Sequence, residues 1–224
     1  MSQRIIRLDL ERVSHEWTRL RPSSGFRVLH IDPPWLYANF SESGEEKNAI
    51  NHYPCMPIED IAKLPLALLM AKDCAVFCWF TWPLMPQWTT VISAWGLIYS
   101  SVAWEWIKYN AQTGKFAFGP GYGTRKNLEP CLLLTRGTPR LRKPVDFFGH
   151  VTETNSRSMR DFIEWWPGGT IRQPRREHSR KPDEARTRIE TMFDGPYCEL
   201  FARSRAPNWA SWGNEIDRFE ANGD

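Results

Sequence analysis

The sequence predicts an α/β domain built on a largely parallel sheet. Strand-length apolar runs recur at 26–31, 74–80, 102–108, 131–135 and 197–202, and segments with helical spacing lie between several of them. Such alternation lays helices over a sheet and leaves ligands at the carboxyl ends of its strands. At about 150 residues per domain, 224 residues suit one substantial domain with appendages.

FRVLHI at 26–31 runs straight into Asp-Pro-Pro, as a buried strand does when its end opens into a loop. Pro57 suits the first position of a helix reaching Ile61, and Pro65 interrupts or restarts it. In CAVFCWF, Cys74, Val76, Cys78 and Phe80 alternate, which predicts a strand with both cysteines as small core residues. From Pro83, Leu84, Trp88, Val91, Ile92 and Trp95 recur at helical spacing and Gly96 stops them. A strand near 102–108, a loop with Gly114, Gly119, Gly121 and Gly123, and a strand at 131–135 follow. The stretch 144–169 carries a helical face of its own (Met159, Phe162, Ile163, Trp166) and reads as an insertion. Pro182 opens a last helix with Ala185, Ile189, Met192 and Phe193 on one face, ended by Asp194-Gly195-Pro196. A strand from Tyr197 and a polar tail from Phe219 complete the chain. The expected organisation is a single domain over 1–224.

Composition excludes several classes. At 42% hydrophobic and 25% charged the chain is neither disordered nor collagenous. Its longest apolar stretches, such as 64–71, fall short of the roughly 18 residues a membrane span needs. MSQRIIRLDLERV has no signal-peptide core, so a cytoplasmic protein is expected. Five cysteines without a C-x-x-C pair indicate neither a disulfide framework nor zinc, and the five histidines offer no metal spacing, so no metal is expected. The net charge of +3 is uneven: 136–143 holds four cations and no acid, and 172–188 holds seven cations against three acids. Such runs suit solvated faces or a phosphate-tracking surface. Twelve tryptophans are several times an ordinary share, and Trp serves cores, interfaces and base-stacking platforms alike.

The sharpest local feature is Asp32-Pro33-Pro34-Trp35 after the first strand. Two prolines remove two N–H groups and stiffen the chain, so nearby carbonyls become rigid acceptors beside the Asp32 carboxylate. Acceptors grouped near an aromatic plane suit a flat heterocycle bearing an amino group. A proline turn with Trp35 in the core is the plainer reading of the tetrad alone.

With its flanking segments the tetrad resembles the N6-adenine methyltransferases of the Asp-Pro-Pro-Trp type. The resemblance runs through HYPCMPIEDI (52–61), FCWFTWP (77–83), WEWIKYN (104–110), GYGTRKNLEPCLLLTRG (121–137), PRREHSRKPDE (174–184) and ELFARSRAPNWASWGNEI (199–216). It implies a Rossmann-like, seven-stranded S-adenosylmethionine-dependent methyltransferase sheet, mostly parallel, circularly permuted so that the catalytic loop precedes the cofactor-binding strand. It implies cofactor contacts by Asp32, Lys181, Glu199, Arg203, Asn214 and Glu215, with Lys181 on the methionyl carboxylate and the last four towards the nucleoside. Trp35 and Tyr53 are expected to hold the base, and Trp106, Lys108 and Glu129 to line the substrate side. The implied reaction methylates the 6-amino group of adenine in DNA. The same reaction on RNA, or a catalytically silent nucleic-acid-binding partner subunit, is the alternative. Silent members tend to lose the tetrad Asp, and cytosine 4-amino enzymes more often carry Ser there. The 144–169 stretch departs from the bacterial pattern and is expected to cover nucleic acid or shape a lid. No Cys/His finger pattern precedes the domain, which favours DNA.

Overall fold

A computed structural model describes residues 5–36, 54–118, 127–142, 170–175 and 180–216. Seven strands form one sheet among them: β1 (Phe26–Ile31), β2 (Met70–Trp79), β3 (Ile98–Tyr109), β4 (Leu128–Arg136), β5 (Thr170–Pro174), β6 (Tyr197–Leu200) and β7 (Trp209–Trp212). Their order is β5-β3-β4-β2-β1-β6-β7. Every pairing is parallel except the two made by β4, which runs against both β2 and β3. The chain leaves β1 towards β2 on one side and β6 towards β7 on the other. β1 and β6, far apart in sequence, are therefore neighbours at the point where strand order reverses. In open α/β sheets that point is where ligands bind.

Period-two alternation sorts the central strands between two cores. Cys74, Val76 and Cys78 pack on one face of β2 with Leu29 and Ile31 of β1. Ala75, Phe77 and Trp79 pack on the other with Val28 and Trp104. Both faces are fully covered, so β2 reads as a continuous apolar run, as a central strand must. Helix α1 (Leu10–Leu20), α2 (Ile58–Ala62) and α3 (Trp88–Ala94) cover the first face through Val13, Trp17, Ile61, Val91 and Ile92. Helix α4 (Glu184–Met192) covers the second through Ala185, Ile189 and Met192.

The expected strands and the helix after Pro182 are present with shifted ends, β2 and β3 each starting four residues earlier. The helix expected from Pro83 divides into a 3-10 turn over Trp82–Gln87 and then α3, because Pro86 lacks the N–H an α-helix needs. Three elements are additional to the sequence reading: α1, the edge strand β5 and β7. Helix α1 starts at Asp9, whose carboxylate accepts the Arg12 N–H at 3.0 Å. The 144–169 stretch and Tyr53 lie outside the described residues. No helix among those described is long and apolar enough to cross a membrane.

Candidate active site

One row of residues crosses the sheet: Trp212, Leu200, Ile31, Cys78 and Leu132 are successive partners. Just beyond it lie Gly213, Phe201, Asp32 and Trp79, so β7, β6, β1 and β2 deliver their carboxyl ends to one edge. At Gly213 a Cβ would stand 2.5 Å from the Ala202 carbonyl oxygen, so only glycine lets the exit of β7 cross that of β6. Phe201 holds φ at 60°, a left-handed conformation uncommon for a bulky residue. Such a backbone outlier at a strand end accompanies functional turns.

The Asp32 loop is pinned. Pro34 accepts the Met56 N–H at 2.7 Å, and the Leu36 N–H bonds back to Met56 at 3.0 Å. Pro33 accepts the Trp35 N–H at 2.8 Å, which engages one of its two lone pairs. Trp35 turns inward: at 6% exposure it stacks on Phe80 and donates its indole N–H to the Trp79 carbonyl at 2.9 Å. Its placement is in the core beneath the loop, because the bonds to Met56 fold the chain back over the sheet.

Asp32 stands between two depressions. The larger, about 310 Å³, lies over the exits of β6 and β7, with Phe201, Arg203, Trp212, Asn214 and Glu215 in its wall and α1 opposite. Arg203 reaches Glu215 at 3.4 Å. Asp9 and Arg12 of α1 also face this cleft, two residues the sequence reading did not include. The smaller depression holds His30, Asp32, Lys181, Arg186 and Glu199.

On the other side of Asp32 runs a chain of alternating charge. The Lys181 ammonium lies 2.8 and 2.9 Å from the two Asp32 oxygens, 3.5 Å from Glu129 and over the Trp79 ring. Glu129 also pairs with Lys108. Burial alone would raise the Glu129 pKa, but the charges of Lys108 and Lys181 and their hydrogen bonds bring it from the ordinary 4.5 down to about 2. Lys108 is held by Asn127, whose side-chain amide bonds both its backbone N–H and its carbonyl, at 2.6 and 2.7 Å. Trp106 is buried, its indole N–H on the Gln173 carbonyl at 3.0 Å and its ring under the Lys108 ammonium.

Glu199 lies with Lys181 in the smaller depression and does not line the cleft over β6 and β7, where it was expected. One oxygen meets His30 Nδ1 at 3.3 Å and the other accepts from Arg186 at 2.8 Å. Burial raises its pKa, and the His30 hydrogen bond and the Arg186 charge more than offset that, leaving it below the ordinary range. The Trp79 indole donates to His30 Nε2 at 2.8 Å, which leaves the ring proton on Nδ1, towards Glu199. This network ties α4, and the Lys181 segment before it, to β1 and β6.

The structure therefore gathers Asp32, Lys181, Glu129 and Lys108 on one side and Arg203, Asn214 and Glu215 on the other, with Glu199 in the depression beside Lys181. Burial pushes the Cys55 and Cys74 thiols up to about 11 and about 12 and raises those of Cys78, Cys131 and Cys198, so none is an activated nucleophile. Among the described residues no cluster of three His, Cys, Asp or Glu side chains could hold a metal.

The MT-A70 family pattern matches residues 26–215, the whole span from β1 through the Asn214-Glu215 turn. The chain belongs to the MT-A70 family. Relatives include the type II methyltransferase M.MunI of a Mycoplasma species, 26% identical over 214 residues that cover 87% of this chain and 79% of that protein. The N(6)-adenine-specific methyltransferase METTL4 of mouse and that of human are each 28% identical across 87% of this chain. Those matches cover only 38% of METTL4. The MT-A70 match takes in the pinned Asp32 loop, the Lys108–Glu129–Lys181 chain and the β6 and β7 wall of the cleft, while the α1 wall precedes it.

Proposed function

We propose that this MT-A70 chain is an S-adenosylmethionine-dependent methyltransferase acting on the 6-amino nitrogen of adenine in DNA. The observation that carries the reading is the position of Asp32, a carboxylate on a doubly pinned loop at the switch point of the sheet, between a ligand-sized cleft and a cationic side. DNA is assigned because the type II methyltransferase matches along 79% of its length, whereas METTL4 matches along 38%.

The residues present suit the cofactor. A cleft near the roughly 300 Å³ lower bound for small-molecule sites, apolar at Phe201 and Trp212 and rimmed by Asn214, Glu215 and Arg203, fits a nucleoside. Asn214, Glu215 and Arg203 would hold the nucleoside portion, and Lys181 would face the amino-acid carboxylate. When bound, S-adenosylmethionine supplies an electrophilic methyl group on a cationic sulfur.

The chain's own residues make the weak amine reactive. The Asp32 carboxylate accepts one amino N–H and the second lone pair of the Pro33 carbonyl accepts the other, which draws nitrogen away from conjugation with the ring. Asp32 also stabilises the positive charge that grows on that nitrogen. The bonds from Met56 and Trp35 fix both acceptors beforehand, so orientation costs little at the moment of reaction. Lys181 holds the carboxylate by both oxygens, and Glu129 holds Lys181. Extruding the base from a duplex costs a few kcal/mol.

Purified protein incubated with labelled cofactor and DNA or RNA oligomers, followed by mass spectrometry of the modified base, tests this. N6-methyladenine in DNA is expected, with Asp32→Ala folded and turnover lower by roughly 10² to 10⁴. Methylation of RNA alone would overturn the substrate, and a different modified base would overturn the reaction.

A further inference from the structure

We propose that the hairpin at 109–118 is a stacking platform for an unpaired base next to the target, so that the enzyme grips its nucleic acid as an opened or single strand. This rests on the nucleic-acid substrate proposed above and adds a second point of contact to it.

The hairpin is rooted in the site. Its closing bond, Ala117 N–H to the Lys108 carbonyl at 3.0 Å, is made by the residue whose side chain pairs with Glu129 and, through it, reaches Lys181 and Asp32. It is also ordered along its length. Asn110 and Lys115 bond across it at 2.9 Å, and the Asn110 carboxamide oxygen accepts the N–H groups of Gln112 and Thr113, both at 2.9 Å. The Arg175 N–H bonds the Tyr109 carbonyl at 2.9 Å and so braces it against β5.

The hairpin presents two exposed aromatic rings beside exposed cations. The tryptophans elsewhere among the described residues are buried or half-buried, yet Phe116 and Phe118 are 52% and 56% exposed, edge to face at 6.4 Å. The exposed Arg172 guanidinium lies 5.9 Å from the Tyr109 ring and 5.8 Å from the Phe116 ring. Lys115, Arg172 and Arg175 are all exposed, and neither 109–118 nor 170–175 contains an acid. Exposed rings interleaved with exposed cations, in two segments that carry no acid, fit an anionic polymer with flat faces: the rings and the guanidinium stack bases, and the cations follow phosphates. The other basic run is placed differently. β4 is antiparallel, so its exit at Arg136 lies at the far end of the sheet, where Arg142 pairs with Asp194 at 2.7 Å.

The probe is a fluorescent single-stranded thymidine oligomer, which contains no adenine, so its binding is read independently of methylation. Phe116→Ala with Phe118→Ala is expected to weaken binding roughly 5- to 100-fold. Phe116→Leu, which stays apolar but cannot stack, is expected to account for much of that loss. Arg172→Ala is expected to flatten the salt dependence by about 0.7 in log–log slope. Tyr99→Ala, exposed at the opposite end of β3, is expected to change nothing. Unchanged oligomer affinity in the double variant overturns the platform. So does an altered sedimentation mass at unchanged affinity, which would make the hairpin a contact between copies of the chain. If wild-type protein binds and the double variant does not, while no adenine is methylated, the platform stands and the proposed reaction falls.

Discussion

Replacing Glu129 with glutamine removes a charge while keeping the shape of the side chain, which isolates what its carboxylate contributes between two lysines. A fall from 4.5 to about 2, at 1.36 kcal/mol per unit, amounts to roughly 3 kcal/mol. With 30% of the side chain facing water, solvent screening trims that to about 2 kcal/mol. The sign follows from the depressed value. The folded state binds this proton less readily than the unfolded state, so the stabilisation is fully present above 4.5 and is lost as pH falls towards about 2. Urea unfolding of wild type and Glu129→Gln at pH 7, 5 and 3 measures it. The variant is expected to be about 2 kcal/mol less stable at pH 7 and 5, with the gap narrowing to about half by pH 3. A gap of the same size at all three values would refute the charge argument and leave only lost packing.

Two further substitutions separate the cleft from the scaffold beneath it. Trp35→Ala is expected to cost roughly 3–5 kcal/mol in urea unfolding, since it empties a buried aromatic site and strands the Trp79 carbonyl. A cost below about 1 kcal/mol would mean that the ring serves the ligand rather than the core. Gly213→Ala drives a methyl into the Ala202 carbonyl and should displace Asn214 and Glu215. Added cofactor at 100 times its dissociation constant should stabilise wild type by about 2.7 kcal/mol and Gly213→Ala by much less, measured by thermal unfolding.

The sequence makes the central sheet readable because its strands are apolar on both faces and end in turn residues, as FRVLHI-DPP does. Helix α1 is harder to see. Only Val13 and Trp17 are buried on it, and its Arg and Glu residues mask the spacing, although Asp9 at its start is a favoured N-cap residue type. β5 and β7 are five- and four-residue edge strands, supported on one side only, and too short for periodicity to register. In the site, Asp32 is legible from chemistry because two prolines isolate it. The direction of Trp35 is not, since it depends on hydrogen bonds to Met56, which is distant in sequence and joins the loop only in the folded chain. The partnership of Asn127 with the Lys108 backbone is likewise a tertiary fact: an amide standing in for a strand has no periodicity to betray it.

Strand direction explains why the charged chain exists at all. Asp32 follows β1, Lys181 precedes α4, Lys108 lies near the end of β3, and Glu129 lies near the start of β4. In a wholly parallel sheet, a residue at the start of a strand would sit at the edge opposite the Asp32 carboxylate. Because β4 alone runs backwards, its beginning meets the ends of β2 and β3, with Trp79 opposite Cys131 and Trp106 opposite Glu129. The acid that spaces two lysines thus arrives beside Asp32 through the reversal of one strand. The hairpin that continues β3 past Lys108 carries the chain onward from the same edge.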